Sequence, residues 1–270
     1  MLLKNKYAVI YGAAGSIGSV VTRAFAREGA TVFVTGRTKE TLEKLSNEIN
    51  SAGAKAIAAV VDAMNVEDVD NHLDEVVKRV GKIDISFNLI EIENKQNIAL
   101  TQMSQHDFVS PIEKTMQTQF ITCTAAGRVM MKKGSGIILS LTATPGGVGY
   151  PMVGGFGPAC GALENFSRNL AVELGIYGVR VVNIRSAGSP DSRPFKEAMA
   201  AQPEMFKFAI GKMKADTMLK ELPLIADIAS IAVFLASDMA SKITGVTIDA
   251  TVGTTAGLNY RTTEMALTQK

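Results

Sequence analysis

The sequence predicts a single doubly wound α/β domain, with a seven-stranded parallel sheet covered by helices on both faces. Three observations carry that expectation. Seven short apolar, β-branched runs alternate with long helical patterns. A glycine-rich turn joins the first run to the first helix. The 270 residues are 47% hydrophobic and hold no low-complexity tract, enough for one continuous core without disulfide or metal support. Apolar strands linked by crossovers of about a dozen or more residues are parallel strands that helices must cover on both sides.

The first strand spans 7–11, directly after Lys4 and Lys6, and a glycine turn follows it. The second and third strands are expected at 31–35 and 56–61, and the fourth at 83–88. Ser104, with Asp107 three residues on, forms an approximate capping box that opens a long fourth helix running toward Lys133. His106 then falls in a solvated first turn. Strands at 136–142, 179–184 and 246–250 complete a sheet of expected order 3-2-1-4-5-6-7.

The domain is expected to span 1–253 and to include a segment at 190–222, where Met199, Met205, Met213 and Met218 sit among mixed charges. These methionines either pack inward as an amphipathic helix pair or contact a substrate as a lid. A tail at 254–270 either reaches a neighbouring subunit or is flexible.

Composition excludes several classes of function. With 28 basic and 26 acidic residues the net charge is +2, too small and dispersed for nucleic acid or a membrane surface. Cys123 and Cys160 have no CxxC spacing, and His72 and His106 are the only histidines, so no metal site is expected and the compartment reads as reducing. Without a signal-peptide apolar region or a run of about 18 apolar residues, a cytoplasmic protein is expected.

The turn reads Gly12-Ala13-Ala14-Gly15-Ser16-Ile17-Gly18. Small residues there let backbone amides approach a pyrophosphate, and the helix N-terminus adds partial positive charge. Further stretches align along nearly the whole chain: Met103-Ser104 with Asp107-Phe108, Leu163-Glu164, Arg168, Leu170-Ala171, Glu173-Leu174, Phe234 through Asp238, and Thr244-Gly245. On these residues the chain resembles the short-chain dehydrogenase/reductase family. The resemblance implies a Rossmann-type fold, a nicotinamide cofactor, a small-molecule substrate and a homo-oligomer. The oligomer, a homotetramer or dimer, would pair the fourth and fifth helices, the latter opening near Gly154.

Carried across in register, the resemblance assigns cofactor contacts to Gly12, Gly15, Ser16, Ile17, Gly18, Arg37, Asp62, Ala63, Asn88 and Ser192. Tyr11 and Ser16 depart from the family's threonine and middle glycine. Where NAD-preferring relatives place an acid for the ribose 2′-hydroxyl, this chain has Gly36 followed by Arg37. The missing carboxylate removes repulsion and a guanidinium forks onto a 2′-phosphate, so NADP(H) is favoured over NAD(H). After Asn88 the chain reads Leu89-Ile90-Glu91, which puts a carboxylate where the family has glycine.

The family's asparagine, serine, tyrosine and lysine fall on Thr115, Ala143, Phe156 and Cys160. No lysine occurs between Lys133 and Lys196 to restore the motif. Ser186-Ala187-Gly188 resembles a stretch of the superfamily's enoyl reductases, but their tyrosine would land on Val153. Tyr150, Thr142 and Glu91 are the alternative proton donors, and Cys160 reads as a small buried hydrophobe. A positioned general acid contributes roughly 10²- to 10⁴-fold, whereas juxtaposing two reactants contributes about 7–11 kcal/mol. Hydride transfer is therefore weakened rather than abolished.

Three readings follow: an NADP(H)-dependent oxidoreductase with a non-standard site acting on activated C=C or C=N bonds, a catalytically inactive dinucleotide-binding protein, or non-redox chemistry such as cyclisation or dehydration in the same pocket.

Overall fold

The computed structural model describes residues 1–257. Of the 254–270 tail, 258–270 therefore lie outside the described residues. Seven strands, β1 (Tyr7–Tyr11), β2 (Thr31–Gly36), β3 (Lys55–Val60), β4 (Ile85–Asn88), β5 (Gly136–Ala143), β6 (Val179–Ser186) and β7 (Thr247–Ala250), form one sheet of order 3-2-1-4-5-6-7. Every pair is parallel. The helices are α1 (Ser16–Arg27), α2 (Lys39–Ser51), α3 (Val66–Val80), α4 (Gln105–Lys133), α5 (Phe156–Gly175), α6 (Arg193–Ala201), α7 (Pro203–Ala215) and α8 (Ile225–Ala236).

Strand residues alternate between two apolar cores, which is why the strands read as unbroken hydrophobic runs. On one face Ile10, Val32, Phe87 and Ile184 meet Phe25 of α1 and Ala232 of α8. On the other Val9, Phe33, Ile138 and Val181 meet Leu73 of α3, Ala126 of α4 and Leu170 of α5. Between β1 and β4 the strand order reverses, which opens a crevice at the carboxyl ends of the strands where ligands of such sheets bind.

Local signals set the helix ends. Asn65 Oδ1 accepts the Glu67 and Asp68 amides to start α3, which stops at Gly81 in a left-handed conformation. Ser104 accepts the Asp107 amide to start α4, and His106 is exposed in its first turn as the sequence implies. Asp107 also pairs with Lys95 at 2.9 Å.

The segment after β6 folds as α6 and α7, neither of which has a fully buried residue. Met205 and Met218 are exposed, so the four methionines do not form an inward-packed stripe. Phe195 and Phe206 pack edge to face at 5.3 Å and join the two helices. Cys123 and Cys160 are both free and buried.

His72 on α3 is 7% exposed, edge-on to Phe33, and neither ring nitrogen has a hydrogen-bond partner among the described residues. Burial lowers its pKa from 6.5 to about 4. The folded state holds the neutral ring while the unfolded chain takes a proton below about pH 6.5, so stability is lost as pH falls from 6.5 toward 4. The expected loss between pH 7 and 4.5 is about 2–3 kcal/mol. Urea unfolding of His72→Phe at both pH values should show a pH dependence smaller by that amount, and an unchanged dependence would clear His72.

Candidate cofactor and active site

The crevice begins at the end of β1. Gly12 takes φ of +70°, and its carbonyl accepts the Gly15 amide at 3.0 Å. A Cβ at Gly18 would strike the Gly12 carbonyl oxygen, so the first turn of α1 lies against the loop. Ile17 anchors it by packing on the apolar core. No side chain caps α1 and its first turn holds no acid, which leaves outward amides and the positive helix end for an anion. That cradle fits a dinucleotide pyrophosphate.

Arg37 is exposed on the turn after β2 and makes no ion pair among the described residues. Asp62, half-buried after β3, accepts the Met64 amide at 3.0 Å, beside buried Ala63. Asn88, expected to contact the cofactor, ends β4 at the crevice. It is 2% exposed, and its side chain donates to Thr122 Oγ1 at 3.0 Å and accepts the Ile90 amide at 3.0 Å, which shapes the crevice wall. Ser192 is the largely buried N-cap residue of α6.

Ser16 Oγ accepts the backbone N–H of Arg193 at 2.9 Å, and Arg193 Nη2 pairs with Glu91 Oε2 at 2.7 Å. Three segments far apart in sequence thus meet at the cradle. Arg193 was not among the expected site residues, although a cation opening a helix, against its dipole, is a visible signal. Glu91, expected as an alternative acid, is this guanidinium's partner in the free protein.

At the strand ends, Ala143 closes β5 opposite Ser186 of β6, and Phe156 opens α5. One turn along α5, Cys160 is 4% exposed, and the Ala143 backbone hydrogen-bonds its sulfur. Burial pushes the thiol up to about 11, so it is an inert apolar residue rather than a nucleophile. Thr115 is half-buried on α4, and no hydrogen bond ties its side chain to those three positions.

Thr142 is removed from the set of proton donors. It is 5% exposed, donates to Glu164 Oε1 at 2.9 Å and accepts from Asn183 Nδ2 at 2.7 Å, so its proton is already held within the fold. Glu164 in turn takes a bidentate pair from Arg185, whose Nε lies 2.9 Å from Oε1, and Arg185 Nη1 reaches Asp249 at 3.1 Å. This ionic network lies beneath the loop after β5, since a Cβ at Gly146 would meet Glu164 Oε1.

Tyr150 on that loop is 40% exposed. Burial, then the charge of Asp216, raises its hydroxyl pKa, so it keeps its proton at neutral pH. It lines an apolar cavity of about 320 Å³ together with Leu100, Pro145, Val148, Met152 and Val153. No other side chain lining that cavity is ionisable.

Comparison with known proteins agrees with this geometry. The family model described as enoyl-(acyl carrier protein) reductase matches residues 12–255. The chain is 30% identical over 256 residues to the peroxisomal 2,4-dienoyl-CoA reductase of Saccharomyces cerevisiae, covering 92% of this chain and 83% of that protein. It is 29% identical over 252 residues to the short chain aldehyde dehydrogenase 1 of Euphorbia lathyris, covering 91% of this chain and 86% of the relative. In fold it matches an NAD⁺-bound xylitol dehydrogenase with a TM-score of 0.86, at 23% identity over 94% of this chain and 100% of that one.

Proposed function

The chain belongs to the short-chain dehydrogenase/reductase family of oxidoreductases, and from that premise we propose that it is an NADP(H)-dependent member with a non-standard active site. Its substrate is a small molecule bearing an activated C=C or C=N bond. One contrast carries the reading. The uncapped start of α1 and an Arg37 with no ion pair among the described residues suit a dinucleotide, while Ala143, Phe156 and Cys160 offer a methyl, a phenyl and an inert thiol.

A bound nicotinamide supplies or accepts hydride. The loop amides from Gly12 to Gly18 hold the pyrophosphate, and Arg37 forks onto the 2′-phosphate. A plain ketone must receive a proton on oxygen as it is reduced, and these three positions deliver none. A conjugated alkene delocalises the charge it gains, so a donor away from the Phe156 position suffices. Of the alternative donors, the Thr142 proton is held by Glu164, whereas Tyr150 lines the apolar cavity and its retained proton suits donation. The apolar cavity it lines favours an uncharged substrate, and the 190–222 segment, whose Asp216 acts on Tyr150, is the lid in this reading.

Tyr150→Phe should lower turnover about 10²-fold, the range of a positioned acid, with NADPH affinity unchanged. An unchanged turnover number would eliminate Tyr150. Fluorescence titration of the purified protein with NADPH and NADH tests the wider reading. NADPH should bind more tightly, and failure of both to bind would contradict it. Tight NADPH binding with no turnover on ketones, conjugated alkenes or imines would favour an inactive dinucleotide-binding protein. Exposed Phe120, tilted against Phe166, and exposed Val172 on α4 and α5 support a homo-oligomer through those helices.

A further inference from the structure

Arg193 stands at the first position of α6, and Lys196 follows three residues later. Two cations at the positive end of a helix are unfavourable unless an anion offsets them, and the first turn of α6 contains none. The nearest carboxylates are supplied from the side: Glu91 at 2.7 Å from Nη2, from the loop after β4, and Glu197 at 3.8 Å from Nε. Both partners of the Glu91 pair are more than half exposed, at 61% and 55%, so the bond is weak and exchangeable. The Arg193 amide is meanwhile fixed to Ser16 in the cradle. Arg193 and Lys196, with Ser16, Ser19, Asp191 and Glu197, line a hollow of about 410 Å³ at the start of α1.

We propose that Arg193 is a phosphate-binding residue of the dinucleotide site and that Glu91 holds its guanidinium in the free protein. Binding then exchanges a carboxylate for a phosphate on one guanidinium, which makes α6 part of the bound site. The proposal rests on the dinucleotide reading of the cradle. The exchange is favourable because a phosphate oxygen accepts the same charge-assisted hydrogen bonds and also meets the unpaired amides of α1, which Glu91 does not.

The experiment is a double-mutant cycle on equilibrium NADPH affinity, measured by fluorescence titration of the full chain at low and moderate salt. Arg193→Ala should weaken binding about tenfold or more. Glu91→Gln should tighten it about threefold, by removing the competing carboxylate. In the Arg193→Ala background Glu91→Gln should have no effect. Arg193→Ala binding as tightly as wild type would overturn the proposal. So would equal tightening by Glu91→Gln in both backgrounds, because Glu91 would then act on the ligand directly. If the wild-type protein binds neither NADPH nor NADH, the dinucleotide reading itself fails. That outcome is distinct from wild-type binding with a silent Arg193→Ala.

Discussion

Replacing Arg185 by methionine is expected to lower folding stability by about 3–5 kcal/mol, because it strands the Glu164 carboxylate inside the protein. The side chains of Glu164 and Arg185 are only 7% and 16% exposed. Removing one partner costs more than the pair contributes, since the survivor keeps its desolvation penalty. Thr142 donates to the same carboxylate and Asn183 donates to Thr142 Oγ1, so the damage extends along that chain. Asp249 is 31% exposed, so Asp249→Asn should cost about 1 kcal/mol or less. The double variant Glu164→Leu/Arg185→Met should recover much of the loss by replacing both charges with apolar groups. Urea unfolding midpoints at one protein concentration check all three, and equal shifts for Arg185→Met and Asp249→Asn would contradict the account.

Replacing Arg37 by alanine is expected to weaken NADPH about 10- to 100-fold while changing NADH by less than about twofold. Hydrogen bonds to a charged group contribute about 1.5–3 kcal/mol, and only NADPH carries the 2′-phosphate. Arg37 is exposed and has no ion pair among the described residues, so its removal leaves no buried charge behind and the fold intact. The effect should shrink with salt, as screening acts on an exposed pair. Parallel titrations with both dinucleotides give the answer, and equal losses would remove Arg37 from 2′-phosphate recognition.

The sheet was legible because its inner strands β1, β2, β4, β5 and β6 are buried on both faces, so apolarity marks them. The boundaries show the limit of that signal. The sequence places the fourth strand from 83, yet β4 opens at Ile85. Ile83 is fully buried, but Asp84 accepts the Tyr7 amide and pairs with Lys82, so burial begins before strand pairing. The sixth strand reads as ending at Ile184 because a charge follows, yet β6 continues through Ser186. Arg185 is accommodated by Glu164 and Asp249, 21 and 64 residues away, and no local pattern announces such partners.

The same blindness governs the site. Glycine spacing revealed the cradle because it is contiguous in sequence. Thr142 and Glu91 looked like free protic groups because their partners, Glu164 and Arg193, lie 22 and 102 residues off. Arg193 carried a signal, a cation opening a helix, but its meaning depends on Ser16, 177 residues earlier.

The most direct test of the central claim follows the absorbance of stoichiometric NADPH on the purified protein when it meets a conjugated enone, an iminium or a saturated ketone. Oxidation is expected with the first two, and a rate slower by about 10²-fold with the ketone, the value of an acid at the Phe156 position. A ketone reduced as fast as the enone, or NADPH left unoxidised by all three, would contradict the claim.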